Sequence, residues 1–134
     1  MKNNNPYPDN KHASLRTLAM PADANPSGDV FGGWIMSQMD IAGASYARHI
    51  ANARVVTVAV EAMTFHLPVF VGDEVSCYCE TVKTGRTSVA VHIETWVRRD
   101  RLANQTIKVT EAVYTYVAID KNRKPVPLDD SLVC

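Results

Sequence analysis

Apolar positions change period along this chain, and the changes mark out its elements. Leu15 to Met20 is a short apolar stretch stopped by Pro21, which reads as a first strand. Ala22 to Gly33 is rich in Asp, Asn, Pro, Ser and Gly and reads as a loop. From Trp34 to about Ala51 the period becomes helical, with Ile35, Met39, Ala42 and Tyr46 spaced by four, three and four. Strands follow. Arg54 to Phe65 is rich in Val and Thr, Gly72-Asp73 marks a turn, and Val75 to Thr84 leads to Gly85. Val89, Val91, Ile93, Thr95 and Val97 then alternate with Ala90, His92, Glu94, Trp96 and Arg98, and Lys108 to Ile119 closes the set. One long early helix followed by strands on short turns predicts an α+β fold with an antiparallel sheet. A single sheet around one helix keeps free edges, so self-association is expected.

The ends carry no period. Residues 1–13 read as a flexible leader, with Asn3, Asn4, Asn5, Pro6 and Pro8, and residues 126–134 as a short tail. Residues 14–125 are expected to form a single domain. The 134 residues suffice to bury roughly 68% of the surface the unfolded chain would expose. Lys and Arg total 14 and Asp and Glu total 14. That balance argues against a general nucleic-acid or polybasic membrane binder, so any bound anion must meet a local cluster of charge. The leader lacks the apolar core of a signal peptide, and no apolar run approaches the about 18 residues of a spanning helix. Three cysteines, Cys77, Cys79 and Cys134, show no framework spacing. A reducing compartment, the cytoplasm, is expected.

Between Asp29 and Arg48 lie eighteen residues, of which only Asp40 is charged. A carboxylate alone on an apolar helix carries a desolvation cost. Two readings stay open: Asp40 faces solvent or accepts a hydrogen bond from a neighbouring segment, or it is a catalytic base. Gly32 and Gly33 lead into the helix, where unpaired N–H donors and the positive dipole end suit a developing oxyanion. Gly33 and Asp40 share a helix face about 10 Å apart along the axis.

Other chemistries find no support. There is no Gly-x-Ser-x-Gly elbow, P-loop or dinucleotide fingerprint. His12, His49, His66 and His92 are scattered without ligand spacing, so no metal is expected, and Cys77 and Cys79 read as core packing. One basic group stands out: Lys83, Arg86, Arg98, Arg99 and Arg101 flank two strands joined at Gly85. A solvated face is the default for such a group. The turn Gly85-Arg86-Thr87-Ser88 nevertheless offers a guanidinium and hydroxyls suited to a phosphorylated ligand.

Longer matches now accumulate. Leu15 to Pro21, the Gly-Asp-Val-Phe-Gly-Gly-Trp run at 28–34, and Met36-Ser37-Gln38-Met39-Asp40 closely resemble the bacterial YciA-type acyl-CoA thioesterases. Arg54 to Val58, Met63-Thr64-Phe65 with Pro68, Val71-Gly72-Asp73, Gly85 to Ser88, Glu94 to Val97 and Thr110 to Val113 extend the resemblance over about residues 14–125. It implies a hotdog fold, a long central helix wrapped by an antiparallel sheet, paired into a dimer and commonly assembled into a trimer of dimers. It also implies hydrolysis of acyl-CoA to a free acid and CoA, broad in chain length, at sites on the dimer interface and without a cofactor. The resemblance puts the catalytic carboxylate on Asp40 and a catalytic or supporting role at Asp29. Backbone donors at Gly32 or Gly33 would hold the oxyanion, and Gly85 to Ser88 with Arg98 and Arg99 would meet the CoA ester. The competing expectation is a hotdog domain that senses acyl-CoA without cleaving it. A dehydratase of the same fold would need a His near Asp40, and the helix has none there.

Overall fold

In a computed structural model, which describes residues 7–8, 10–99 and 105–128, α1 runs Gly32–Ala51. It starts two residues before Trp34, because the weak helix formers Gly32 and Gly33 occupy its first two positions. Its N-cap is Phe31, which has no side-chain acceptor. Its C-cap is Asn52 in the left-handed region (φ 50°), whose N–H closes onto the Arg48 carbonyl at 2.8 Å. Ile35, Met39, Ala42, Gly43, Ala47 and Ala51 form the buried stripe. Tyr46, expected on that stripe, is half-buried and shares a 2.7 Å hydrogen bond with Thr81.

Five strands surround this helix: β1 (Leu15–Leu18), β2 (Arg54–Phe65), β3 (Glu74–Thr84), β4 (Ser88–Arg99) and β5 (Gln105–Ile119). They form one sheet in the order β1-β3-β4-β5-β2, with every neighbour antiparallel. A short 3₁₀ turn, Pro21–Asp23, interrupts the stretch read as loop. The alternation in β4 has the expected consequence: Val89, Val91, Ile93, Thr95 and Val97 are all buried. Ala90 and Trp96, on the opposite face, are buried too, because that face is partly covered. The Tyr7 ring stands edge-on to Trp96 and to Tyr78 there.

The core lies between α1 and the inner face of β3, β4 and β5. At its tightest point Gly43 lets the helix sit directly on two side chains. A Cβ at this position would fall 2.3 Å from the Tyr116 hydroxyl and 2.7 Å from Ile93 Cδ1. Tyr114 and Tyr116, stacked at 6.3 Å, donate to the helix carbonyls of Met36 (2.9 Å) and Asp40 (3.1 Å). The helix is thus tied to β5 at two points one turn apart.

β2 is the far edge. Its pairing with β5 slips between Thr57 and Ala59 and again between Glu61 and Thr64, and Ala62 in the second slip has φ 59°. Bulges of this kind bend an edge strand and end its regular pleat. Val58 and Val60 are exposed on it, as is Phe65 at its end.

Candidate active site

Asp40 lies half-buried in the middle of α1, on the side facing β5 and β2. The Thr57 hydroxyl donates to its Oδ1 at 2.7 Å, and the Tyr116 hydroxyl donates to the same oxygen at 3.0 Å. Oδ2 takes neither bond. Burial, then the neighbouring Asp40 charge, pushes the Tyr116 hydroxyl above its ordinary range, so it remains a donor throughout neutral pH. Two donors on one carboxylate oxygen fix its plane and aim the other, which is what a positioned base requires.

A second half of the site sits at the start of α1. With Phe31 as N-cap, the N–H groups of Gly32 and Gly33 have no acceptor among the described residues, while Trp34 N–H is used by the Phe31 carbonyl at 3.1 Å. Beside them opens a cleft of about 440 Å³, lined by Asn25, Asp29, Gly32, Phe65, His66 and apolar neighbours. Its rim is pinned. Asn25 Oδ1 accepts the N–H groups of Ser27 (2.9 Å) and Asp29 (3.1 Å), and Val30 N–H reaches the Val69 carbonyl at 2.8 Å.

Within one chain the two halves stay apart. Asp40 is not among the residues lining the cleft, and it stands eight positions along the helix from Gly32, about 12 Å along the axis. Asp29 is exposed on the cleft and takes no part in holding Asp40. Both halves border β2, at Thr57 and Phe65, and β2, like β1, is an edge strand, paired on one side only among the described residues.

The basic group read from the sequence does not come together. Gly85 to Ser88 forms the β3–β4 turn, closed by Gly85 N–H to the Ser88 carbonyl at 2.8 Å, with Arg86 exposed. Arg98 and Arg99 lie at the other end of β4, roughly 40 Å along the strand. There they have other work. Arg99 Nε donates to both Asp73 oxygens (3.1 and 3.2 Å), Nη2 donates to the Pro68 carbonyl, and the guanidinium lies 4.5 Å over Phe70. Arg98 lies over Tyr7 and 4.0 Å from Glu74. Arg101 lies outside the described residues, as does Cys134. Within one chain, then, the length of the hairpin keeps Arg98 and Arg99 from joining Arg86.

Histidines scattered in sequence do meet in space. His92 Nε2 is 2.9 Å and His66 Nε2 3.8 Å from Glu111, and His92, Glu94 and Glu111 converge within 4.8 Å. The Lys108 ammonium occupies this cluster, 3.1 Å from Glu111 and 3.5 Å from Glu94. Its hydrogen bond holds the Glu111 carboxyl below its ordinary value against the opposing effect of burial, and His92 adds to it. Cys77 packs in the core and Cys79 against it, with burial pushing the Cys77 thiol up to about 12 and that of Cys79 to about 11.

Comparison with known proteins gives a consistent picture. A profile of the thioesterase superfamily matches residues 27–104. An acyl-CoA thioester hydrolase, YciA, of Salmonella typhimurium is 58% identical over 116 residues, spanning 85% of this chain and 87% of that protein. Among solved structures, a hexameric hotdog-fold thioesterase of Campylobacter jejuni superposes with a TM-score of 0.87 at 41% identity, covering 93% of this chain and 96% of that one. A hexameric broad-specificity acyl-coenzyme A thioesterase superposes with a TM-score of 0.86 at 46% identity, covering 96% and 88%.

Proposed function

The chain belongs to the thioesterase superfamily and has its hotdog fold, and from that premise we propose that it hydrolyses acyl-CoA esters to a free carboxylic acid and CoA, broadly in chain length. The observation that carries this reading is the Asp40 carboxylate, held through Oδ1 by Thr57 and Tyr116 at an open sheet edge. Oδ2 takes a proton from water as the water oxygen attacks the thioester carbonyl. The N–H groups of Gly32 and Gly33 receive the oxyanion. The C–S bond then breaks, and the proton passes to the departing CoA thiolate. The same Oδ2 is the attacking atom if the reaction runs through an anhydride; label found in Asp40 after one turnover in ¹⁸O-labelled water marks that route, with water opening the anhydride at the aspartyl carbon. Neither route calls for a metal or another cofactor.

Assembly completes the site. The Campylobacter jejuni thioesterase and the broad-specificity acyl-coenzyme A thioesterase are hexamers, and this chain forms a homo-oligomer of the same kind. Pairing two β2 edges covers Val58 and Val60 and brings each Asp40 toward the partner's glycine-led helix start. Asp29 supports the loop at that start, and the Gly85 to Ser88 turn with Arg86 meets the CoA phosphates. Among the described residues no helix is long and apolar enough to cross a membrane. The free thiols of Cys77 and Cys79 support a cytoplasmic setting.

Thiol release from a graded panel of acyl-CoA esters, followed with a thiol reagent, tests the reading. Turnover across several chain lengths is expected. Tight acyl-CoA binding with no thiol released would instead make the chain a sensor, a role for which an oriented carboxylate has no use.

A further inference from the structure

On the outer face of the sheet, away from the core, ligating side chains converge from three strands. His92 and Glu94 are two residues apart on β4 and so share a face, and the ladder sets Glu111 of β5 directly opposite Glu94. Like charges opposite one another across a ladder are destabilising, so this register calls for a cation between the carboxylates. A further group arrives from the end of β2. The slip at Ala62 bends that strand, and His66, just beyond its end, is fastened to β5 by its N–H on the Val109 carbonyl at 2.8 Å. The His66 Nε2 then lies 3.8 Å from Glu111 Oε2.

This group differs from a solvated patch of carboxylates in its donors, its support and its space. The donors are mixed, imidazole nitrogen with carboxylate oxygen. His92 Nε2 and one oxygen each of Glu94 and Glu111 lie within 4.8 Å of one another, and His92 Nε2 is 2.9 Å from Glu111 Oε1. The support is an indole: Trp96 N–H donates to Glu94 Oε1 at 3.0 Å, which orients the carboxylate and leaves Oε2 for a cation. The space is a cavity of about 230 Å³ that opens beside Thr64, His66, His92 and Glu111. A cation of the chain's own already takes the central position. Lys108 Nζ stands 3.5 Å from Glu94 Oε2 and 3.1 Å from Glu111 Oε2. Two carboxylates to one ammonium leave the cluster net negative, and a divalent ion in the ammonium's place brings it to neutrality.

We infer that His92, Glu94 and Glu111, with His66 as a fourth ligand, form a site for a divalent transition-metal ion, which takes the place of the Lys108 ammonium. The inference is independent of the hydrolase reading, in which no step uses a metal. Imidazole beside carboxylate suits zinc and its neighbours; magnesium and calcium, which take oxygen ligands, are poorly served. Donors bonded at about 2.1 Å stand about 3.4 Å apart in a tetrahedron, so the set must close by roughly 1 Å. His92, Glu94 and Glu111, exposed by 30%, 28% and 34%, have the freedom to do so, and the flexible stem of Lys108 lets its ammonium swing into water. The bound ion would tie the end of β2 to β4 and β5. That end borders the cleft beside Gly32, which His66 also lines.

Calorimetric titration of the chelator-treated, intact oligomer with zinc chloride tests the inference, with magnesium chloride as the comparison. One zinc per chain is expected, and magnesium should bind at least about tenfold more weakly. His92→Ala/Glu111→Gln should weaken zinc binding by at least about a hundredfold. Lys108→Met keeps the stem and removes the competing charge, so it should tighten zinc binding about tenfold, a gain that misfolding cannot produce. Zinc should raise the melting temperature of the wild type and of Lys108→Met, and leave that of the double variant where it was. The inference is overturned if neither the wild type nor Lys108→Met binds zinc, or if magnesium binds as tightly. Wild-type zinc affinity in the double variant also overturns it, since the ion would then sit elsewhere. So does a Lys108→Met variant no tighter than the wild type, because ion and ammonium would then not share one position.

Discussion

β5 and β2 are paired neighbours of fifteen and twelve residues, yet they do opposite things. β5 has strands on both sides and buries Ala112, Tyr114, Tyr116 and Ala118 against the helix. β2 has a strand on one side only and no fully buried residue along its whole length. β5 holds the helix in place by two tyrosine hydroxyls. β2 contributes the Thr57 hydroxyl to the same carboxylate and otherwise leaves Val58 and Val60 uncovered. The division teaches where stability and function separate in this fold. The central strand positions the Asp40 carboxylate, and on the proposed reading the edge strand is left for a second copy to finish the site.

The strongest way to break that comparison is to spoil the edge while sparing the centre. Val58→Lys/Val60→Lys puts two charges on the exposed rim of β2 and touches none of the core. Light scattering should then show a smaller species, and thiol release should fall roughly a hundredfold as the site loses its second half. Full activity from a dissociated chain would remove the edge from the account.

Next comes the central strand. Tyr116→Phe removes one of the two bonds to Oδ1, and kcat should fall roughly five- to tenfold, with KM little changed. Gly43→Ala should do the same by displacing the Tyr116 hydroxyl, with a stability loss of about 1–3 kcal/mol from overpacking. Wild-type kcat in both variants would reduce Tyr116 to a packing residue.

Tyr114→Phe is the internal control. Its hydroxyl meets only the Met36 carbonyl, so chemical denaturation should register about 1 kcal/mol lost and turnover should be unaltered. A fall in kcat as large as that of Tyr116→Phe would blur the distinction between the two rungs.

The smallest effect belongs to Glu111. Its carboxyl is held below the ordinary value of 4.5, so the folded state binds fewer protons than the unfolded one. The stabilisation is complete above 4.5 and fades as pH falls through the lower folded value. Exposure of about a third of the side chain (34%) keeps it small. Melting curves on acidification should therefore drop slightly faster for the wild type than for Glu111→Gln, and parallel curves would remove the contribution.

What was legible in the sequence follows the range of the interactions. Asp40 stands out because local pattern isolates it, the lone charge in an apolar helical stretch. The β4 alternation and the glycine-led helix start are local signals of the same kind. Thr57 and Tyr116 are not legible, because they reach Asp40 across 17 and 76 residues and nothing in their own neighbourhoods marks them. Asn25 could have been found, since an Asn two residues before Ser27 in a Pro- and Gly-containing loop is an Asx-turn signal. The arginines show the converse error. Arg86, Arg98 and Arg99 are near in sequence and far apart on a straight strand, whereas Arg48 and Arg54 become neighbours only through the left-handed turn at Asn52.

The central claim is that Asp40 does the chemistry, and one substitution addresses it directly. Asp40→Asn keeps the shape and a hydrogen-bonding Oδ1 while abolishing the base. Thiol release from acyl-CoA should be measured beside the wild type, with both at the same oligomeric state and with matching folded-state spectra. The account predicts a loss of about 10²- to 10⁴-fold in kcat. A variant that turns over at close to the wild-type rate would contradict it.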